Sequence, residues 1–163
     1  MTKGYIILLS ILFLGCNSKL ETIEHKFDNL KNLDYGVFLN TNIVNRKGVY
    51  FVTYKEQQLA VKSNFWGEIT TIEKAYSKDK AIELTKNDID KIKRALESFK
   101  TMNILSLKVD AKQNVFISVP HSDSCTYYFL KLSPYSTLEN IKKQYYEQYV
   151  ENWYLYKECA KRK

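Results

Sequence analysis

Short runs of β-forming residues, joined by connections of only a few residues, constrain the fold of this 163-residue chain most. Strands that follow one another through such short connections must be antiparallel, because a parallel pair needs a crossover of a dozen or more residues. About six or seven short strands in antiparallel sheet are therefore predicted. The runs that predict them are rich in Val, Ile, Thr, Tyr and Phe and cover residues 36–41, 48–55, 57–63, 68–76, 104–110, 114–120 and 125–132.

Two amphipathic segments predict helices that pack on this sheet. In the first, over residues 20–35, apolar side chains recur at spacings of three and four, which is the period of one helical face. The second begins where Thr85 and Asp88 form a T-x-x-D capping box. Its apolar side chains, which predict a central helix covering the sheet, are Ile89, Ile92, Leu96 and Phe99.

The C-terminal segment predicts a third and longer helix. Ser136 and Glu139 have the spacing of another capping box, and large apolar residues follow at helical spacing. These residues are Leu138, Ile141, Tyr145, Tyr149, Trp153 and Tyr156. The predicted fold class is therefore α+β, with one domain over residues 21–163, antiparallel strands, a central amphipathic helix and a long C-terminal helix.

An apolar run of eleven residues, from Tyr5 to Gly15, lies near the start of the chain behind Lys3. A membrane-spanning helix needs about 20 apolar residues, so this run is too short to cross a bilayer. A short apolar run behind a positive charge at the N-terminus is typical of a secretory signal peptide. Residues 1–15 are therefore predicted to be a signal peptide.

The end of the run resembles the lipobox of bacterial lipoproteins. Its residues are Phe13, Leu14, Gly15 and Cys16, whereas the usual lipobox has Leu, a small or branched residue, Gly or Ala, and then Cys. Phe13 and Leu14 are thus less common choices at their positions. The resemblance covers only about the first sixteen residues and concerns the anchor, not the fold of the domain.

The resemblance implies that Cys16 is lipidated, becomes the new N-terminus after cleavage and is acylated there, with residues 16–20 as a tether. Two or more acyl chains hold a protein stably on a membrane. The implied location is the cell envelope, with the domain facing the periplasm or the cell surface. Asn17 follows Cys16, where an Asp commonly retains lipoproteins of enteric-type bacteria in the inner membrane, so the outer membrane is slightly favoured.

The charge of the chain favours acidic partners. The predicted signal peptide contains one of the 25 Lys and Arg residues and none of the 18 acidic residues, which leaves the mature chain at +6. Export argues against nucleic acid, the usual partner of a basic protein. Anionic lipid head groups, acidic glycans and an acidic protein remain, and an acidic protein is the partner we expect, although a basic surface also serves solubility alone.

Two cysteines remain after lipidation of Cys16, namely Cys125 and Cys159. An even number of cysteines in an exported chain is compatible with one disulfide. The predicted bridge would join the strand at residues 125–132 to the last helix. The alternative is a pair of separate buried thiols.

Catalytic and cofactor motifs are poorly represented. The five glycines are too scattered to cradle a phosphate, and Ser77 and Lys80 form an S-x-x-K sequence without its K-T-G partner. His121, Asp123 and Cys125 lie in one predicted turn, where neighbouring side chains diverge, and a structural zinc ion needs four ligands. We therefore expect no catalytic residues, no metal and no cofactor.

Four aromatic residues are candidates for binding. Phe65 and Trp66 occupy a predicted hairpin turn, and Tyr146 and Trp153 lie in the predicted last helix beside lysines. Large amphipathic side chains are enriched at binding hot spots, whereas the alternative for all four is packing in the core.

Two functions remain open. The first is a non-catalytic envelope module that binds or inhibits another protein, as an immunity protein does. The second is a small envelope enzyme or a glycan-binding accessory lipoprotein that uses the 121–125 loop or Trp66.

Overall fold

The computed structural model describes residues 22–64, 66, 68–76, 84–121 and 124–160. It contains two helices, α1 (Ile23–Lys31) and α2 (Lys86–Thr101), and a 3-10 turn at Gly36–Phe38. The strands are β1 (Thr41–Arg46), β2 (Val49–Tyr54), β3 (Gln57–Ser63), β4 (Ile69–Lys74), β5 (Ser106–Val109), β6 (Val115–Pro120), β7 (Cys125–Lys131), β8 (Glu147–Val150) and β9 (Trp153–Cys159). Neither helix has the length and apolar character that crossing a membrane requires.

The nine strands form one antiparallel sheet in the order β4-β3-β2-β1-β5-β6-β7-β9-β8. The first four strands make a meander, and α2 then returns the chain across the sheet so that β5 pairs with β1. A second meander follows through β5, β6 and β7. The last hairpin adds β9 beside β7 and leaves β8 at the edge.

The predicted α+β fold with a long C-terminal helix is wrong, because β8 and β9 occupy that segment and the sheet has nine strands instead of six or seven. In β9, Trp153 and Leu155 pack on one core, whereas Tyr154 and Tyr156 pack on a second core across the sheet. A strand whose side chains pack on both faces carries apolar residues at consecutive positions, as β9 does from Trp153 to Tyr156. Such a run also fits the spacing of a helical face, so periodicity alone does not distinguish a strand from a helix in this segment.

The end of α1 and the segment that follows it also differ from the prediction. Helix α1 ends at Lys31, and the strand predicted at 36–41 is the 3-10 turn followed by the start of β1. Tyr35 and Phe38 are both buried there, and the Tyr35 hydroxyl donates to the carbonyl oxygen of Leu30 at 2.7 Å. Helix α2 and its Thr85–Asp88 capping box are confirmed.

Both helices cover one face of the sheet. Its core consists of inward side chains from β1 to β7 and from β9, together with those of the helices. The largest fully buried ones include Phe38, Ile43, Leu59, Ile92, Leu96, Phe99, Leu107, Ile117 and Phe129. On the opposite face, a smaller core of Leu130, Leu132 and Tyr146 lies over the later strands.

The antiparallel order gathers the turns at two ends of the sheet. The Lys55 end holds the β2–β3 turn at residues 55–56, the β5–β6 turn and the β8–β9 turn. The Cys125 end holds the turn at Lys47–Gly48, the β3–β4 turn and the β6–β7 turn. Lys47 and Gly48 have φ values of 51° and 82°, which suits a two-residue hairpin turn.

Candidate functional site

A groove of about 950 Å³ opens at the Lys55 end. Its walls come from four separate segments: the 3-10 turn with the start of β1, the β2–β3 turn, the end of β5, and α2. The groove therefore exists only once the sheet has formed and α2 has packed across it.

The floor of the groove is apolar because of how the 3-10 turn is placed. Tyr35 and Phe38 point into the core, which leaves Val37 and Leu39 pointing outward with 42% and 41% of their surface exposed. Leu39 is held by a bridge to Val109, at the end of β5. Two exposed aliphatic side chains are thus fixed in the groove, where binding can bury them.

The carboxylate of Asp88, which is 4% exposed, positions α2 against the sheet. It accepts hydrogen bonds from the Tyr54 hydroxyl and the Lys55 Nζ, each at 3.0 Å, and from the Thr85 hydroxyl at 2.9 Å. Bonds from Lys55, Thr85 and Tyr54 hold the pKa of Asp88 well below its ordinary range. One carboxylate therefore caps α2 and joins it to the end of β2.

This placement directs two cations of α2 into the groove. Lys91 and Arg94 are exposed and line the groove. Lys55 and Lys108 also line it, but the Nζ of Lys55 is paired with Asp88 and that of Lys108 lies over the ring of Phe116 at 5.6 Å. Residues three apart on a helix share a face, which is why Lys91 and Arg94 lie together.

Two carboxylates also line the groove, from Glu56 and Asp110. The Asp110 carboxylate is engaged in its own turn, where it accepts from the backbone N–H groups of Lys112 and Asn114 at 2.9 and 2.8 Å. The positive charge that faces the groove therefore comes mainly from Lys91 and Arg94, beside an apolar floor, a combination suited to an acidic ligand with apolar side chains.

Asp88→Asn is expected to lower the free energy of unfolding at neutral pH and to flatten its decline in acid. The folded pKa of Asp88 is depressed below the ordinary value of 3.8. Its contribution is therefore complete above about pH 4 and is lost as pH falls through the lower folded pKa. Urea denaturation across this acid range measures the difference.

The matched control for this prediction is Asp90→Asn, since Asp90 lies in the same helical turn and is exposed. We expect the control to keep the acid dependence of the wild type. Identical acid profiles for the wild type and Asp88→Asn would contradict the role assigned to Asp88.

The predicted binding aromatics are placed very differently from one another. Trp66 lies in the β3–β4 turn with 82% of its surface exposed, whereas Tyr146 and Trp153 are only 7% and 3% exposed. Burial assigns Tyr146 and Trp153 to core packing on opposite faces of the sheet. Phe65 lies outside the described residues.

The structure contains the predicted pair of Cys125 and Cys159 at disulfide distance. The two residues are direct cross-strand partners in β7 and β9. The bridge thus joins two strands and not, as predicted, a strand and a helix.

The 121–125 cluster does not assemble into a metal site in the part of the chain that is described. The ring of His121 packs against Tyr127 with centroids 5.4 Å apart, and Cys125 belongs to the disulfide. Asp123 lies outside the described residues, as do Cys16 and the whole lipobox. Within the described ranges, no group of three His, Cys, Asp or Glu side chains could hold a metal ion.

Sequence reasoning missed the groove. Lys91 and Arg94 belong to the polar face of the predicted central helix, and Val37 and Leu39 lie in the run at 36–41 that predicts a strand. The spacing of the two cations was a usable signal for a shared face, but nothing local indicated that an apolar floor lies opposite them.

Comparison of the chain with protein-family models, with curated proteins and with solved structures finds no match to any of them. The function is therefore inferred from the residues and their geometry.

Proposed function

We propose that this chain is a lipid-anchored module of the bacterial cell envelope that binds an acidic protein, in the manner of an immunity protein, and is not an enzyme. Cys16 is the residue that carries the anchor in this proposal. The groove at the Lys55 end is the binding site.

The observation that carries the proposal is the composition of the groove. Lys91 and Arg94 line the same groove as the exposed side chains of Val37 and Leu39, and Lys55 and Lys108 also contribute to its lining. Opposite charge on a partner would speed association and set its orientation, while burial of the aliphatic floor would supply affinity.

A charge reversal in the groove tests the proposal. The acylated protein carrying Lys91→Glu and Arg94→Glu is captured from detergent-solubilised envelope after mild crosslinking, in parallel with the wild type. We expect the wild type to retain one acidic protein in near-stoichiometric amount. Replacing attraction by repulsion at two rim positions should weaken this retention by about tenfold or more, which corresponds to about 1.4 kcal/mol.

The control carries Lys86→Glu and Lys93→Glu, which change the net charge equally, lie on the same helix and do not line the groove. We expect it to retain the partner. Equal loss from both variants would mean that only net charge matters, and equal retention by both would place the partner elsewhere. Either result would contradict the groove as the site.

A further inference from the structure

The sheet face opposite the helices carries two rows of side chains over β1, β2 and β3. Ile43, Val52 and Leu59 are buried on the helix side, so the residues next to them on each strand point the other way. Cross-strand pairing aligns these outward residues into a polar row of Asn42, Thr53 and Gln58 and an apolar row of Val44, Phe51 and Ala60. All six remain accessible to solvent at least in part.

A cavity of about 210 Å³ lies at these rows and is also lined by Tyr76. The ring of Tyr76 stacks on that of Phe51, with centroids 5.7 Å apart and planes at 9°. Even so, 79% of Tyr76 is exposed, so the ring face turned away from Phe51 is open to a ligand. Tyr76 has a φ of 60°, an uncommon value for a bulky residue and a kind of strain that clusters at ligand sites.

The polar side chains of the cavity are available to a ligand. Within the described ranges, the side chains of Asn42, Thr53 and Gln58 make no hydrogen bond or ion pair. Amides and hydroxyls both donate and accept hydrogen bonds. The described residues that line the cavity include no carboxylate and one cation, Arg46, whose guanidinium carbon lies 5.8 Å from the ring centroid of Phe51. The cavity therefore suits a ligand with many hydroxyl groups and does not require a charged one.

The position of the cavity within the sheet argues against an extended peptide as this ligand. Strands β1, β2 and β3 are each paired on both sides, so they offer no free edge to which a peptide strand could add. What they offer is side-chain amides, a hydroxyl and an aromatic ring. A pyranose matches these groups, because its hydroxyls pair with amides while its polarised C–H hydrogens face the negative side of an aromatic ring.

The geometry points to a saccharide-binding site on this face of the sheet, with a pyranose stacked on Tyr76 and its hydroxyls bonded to Asn42, Thr53 and Gln58. The cavity is smaller than the sites of about 300–1,000 Å³ that hold drug-sized ligands, so it holds one ring. The polar row crosses three strands, about 10 Å, along which a sugar chain can continue.

This site is separate from the proposed protein-binding function and does not rest on it. The cavity adjoins the groove, and both are lined by Asn42 and Thr53. Phe51, Gln58 and Tyr76 line the cavity and not the groove, so substitutions there address the saccharide site alone.

Saturation-transfer NMR tests the site. The full-length protein in a zwitterionic detergent is mixed in turn with maltotetraose, cellotetraose, the tetramer of N-acetylglucosamine, and cell-wall glycan strands freed of peptide. Saturation of the aromatic protons of the protein should pass to the C–H hydrogens of a bound sugar, because Tyr76 contacts that side of the ring. We expect at least one of these saccharides to bind, and Tyr76→Ala to weaken its binding about five- to tenfold.

Further variants show whether the aromatic ring itself binds. Tyr76→Phe should bind like the wild type, whereas Tyr76→Leu, which keeps apolar bulk without an aromatic face, should resemble Tyr76→Ala. Gln58→Ala should also weaken binding. Tyr135→Ala is the matched control, since Tyr135 is 84% exposed and does not line the cavity. Lys91→Glu with Arg94→Glu should leave saccharide binding unchanged.

The contrary results distinguish this site from the groove. If no saccharide of the panel binds, the site is refuted, whatever the groove variants do to the protein partner. If a saccharide binds the wild type and Tyr76→Ala equally, it binds elsewhere and the site is again refuted. If Tyr76→Ala instead releases the acidic protein while Lys91→Glu with Arg94→Glu retains it, this face binds a protein and both proposals are contradicted.

Discussion

Trp153→Ala is expected to lower the free energy of unfolding by about 3–5 kcal/mol, the cost of removing a large aromatic side chain from a packed core. Trp153 is 3% exposed, and its ring centroid lies 5.4 Å from that of Phe27 and 6.2 Å from that of Tyr35. It therefore joins α1, the chain that follows α1, and β9. Urea denaturation followed by circular dichroism measures the loss, because the variant lacks its buried fluorophore.

The same substitution at the other tryptophan is the control. Trp66 is 82% exposed, and exposed positions usually change stability by no more than about 0.5 kcal/mol. Trp153→Phe, which keeps an aromatic ring, should fall between Trp153→Ala and the wild type. Equal losses for Trp153→Ala and Trp66→Ala would contradict the placement of Trp153 in the core.

Reduction of the Cys125–Cys159 disulfide is expected to lower the free energy of unfolding by about 3–4 kcal/mol. The two cysteines are 34 residues apart, and a cross-link of that length removes a corresponding amount of loop entropy from the unfolded chain. The closed loop contains most of β7, all of β8 and most of β9. Denaturation with and without reductant measures the effect without a change of sequence.

Cys159→Ser separates loss of the cross-link from loss of a buried side chain. Cys159 is exposed while Cys125 is buried, so this variant removes the bridge with little change in packing. We expect its stability to equal that of the reduced wild type. A difference of less than about 1 kcal/mol between the oxidised and reduced wild type would contradict the stabilising role of the bridge.

Local sequence was sufficient where one chemical pattern has a single structural solution. Thr85 and Asp88, followed by four apolar residues on one face, specify α2 and its first turn, because the cap and the stripe agree. The runs in the middle of the chain became strands of two antiparallel meanders, because connections of a few residues allow no other pairing.

Local sequence was insufficient where large apolar residues face both sides of a strand. The large residues between Tyr145 and Tyr156 fit a helical stripe and also fit a hairpin whose second strand reaches both cores, and the tertiary structure selects the hairpin of β8 and β9. Strand β9 pairs with the edge of β7 from Cys125–Cys159 to Lys131–Trp153. This pairing satisfies the backbone hydrogen-bonding groups of β9, and the spacing of apolar side chains in the sequence gives no information about it.

The candidate site shows the same division. Trp66 could be predicted as an exposed turn residue, because a hairpin turn is defined by its near neighbours. The groove could not be predicted, because its floor at Val37 and Leu39 and its rim at Lys91 and Arg94 meet only through the return of α2 across the sheet. Short-range patterns therefore decide turns, caps and single elements, whereas contacts between residues far apart in the chain decide which faces meet and what they enclose.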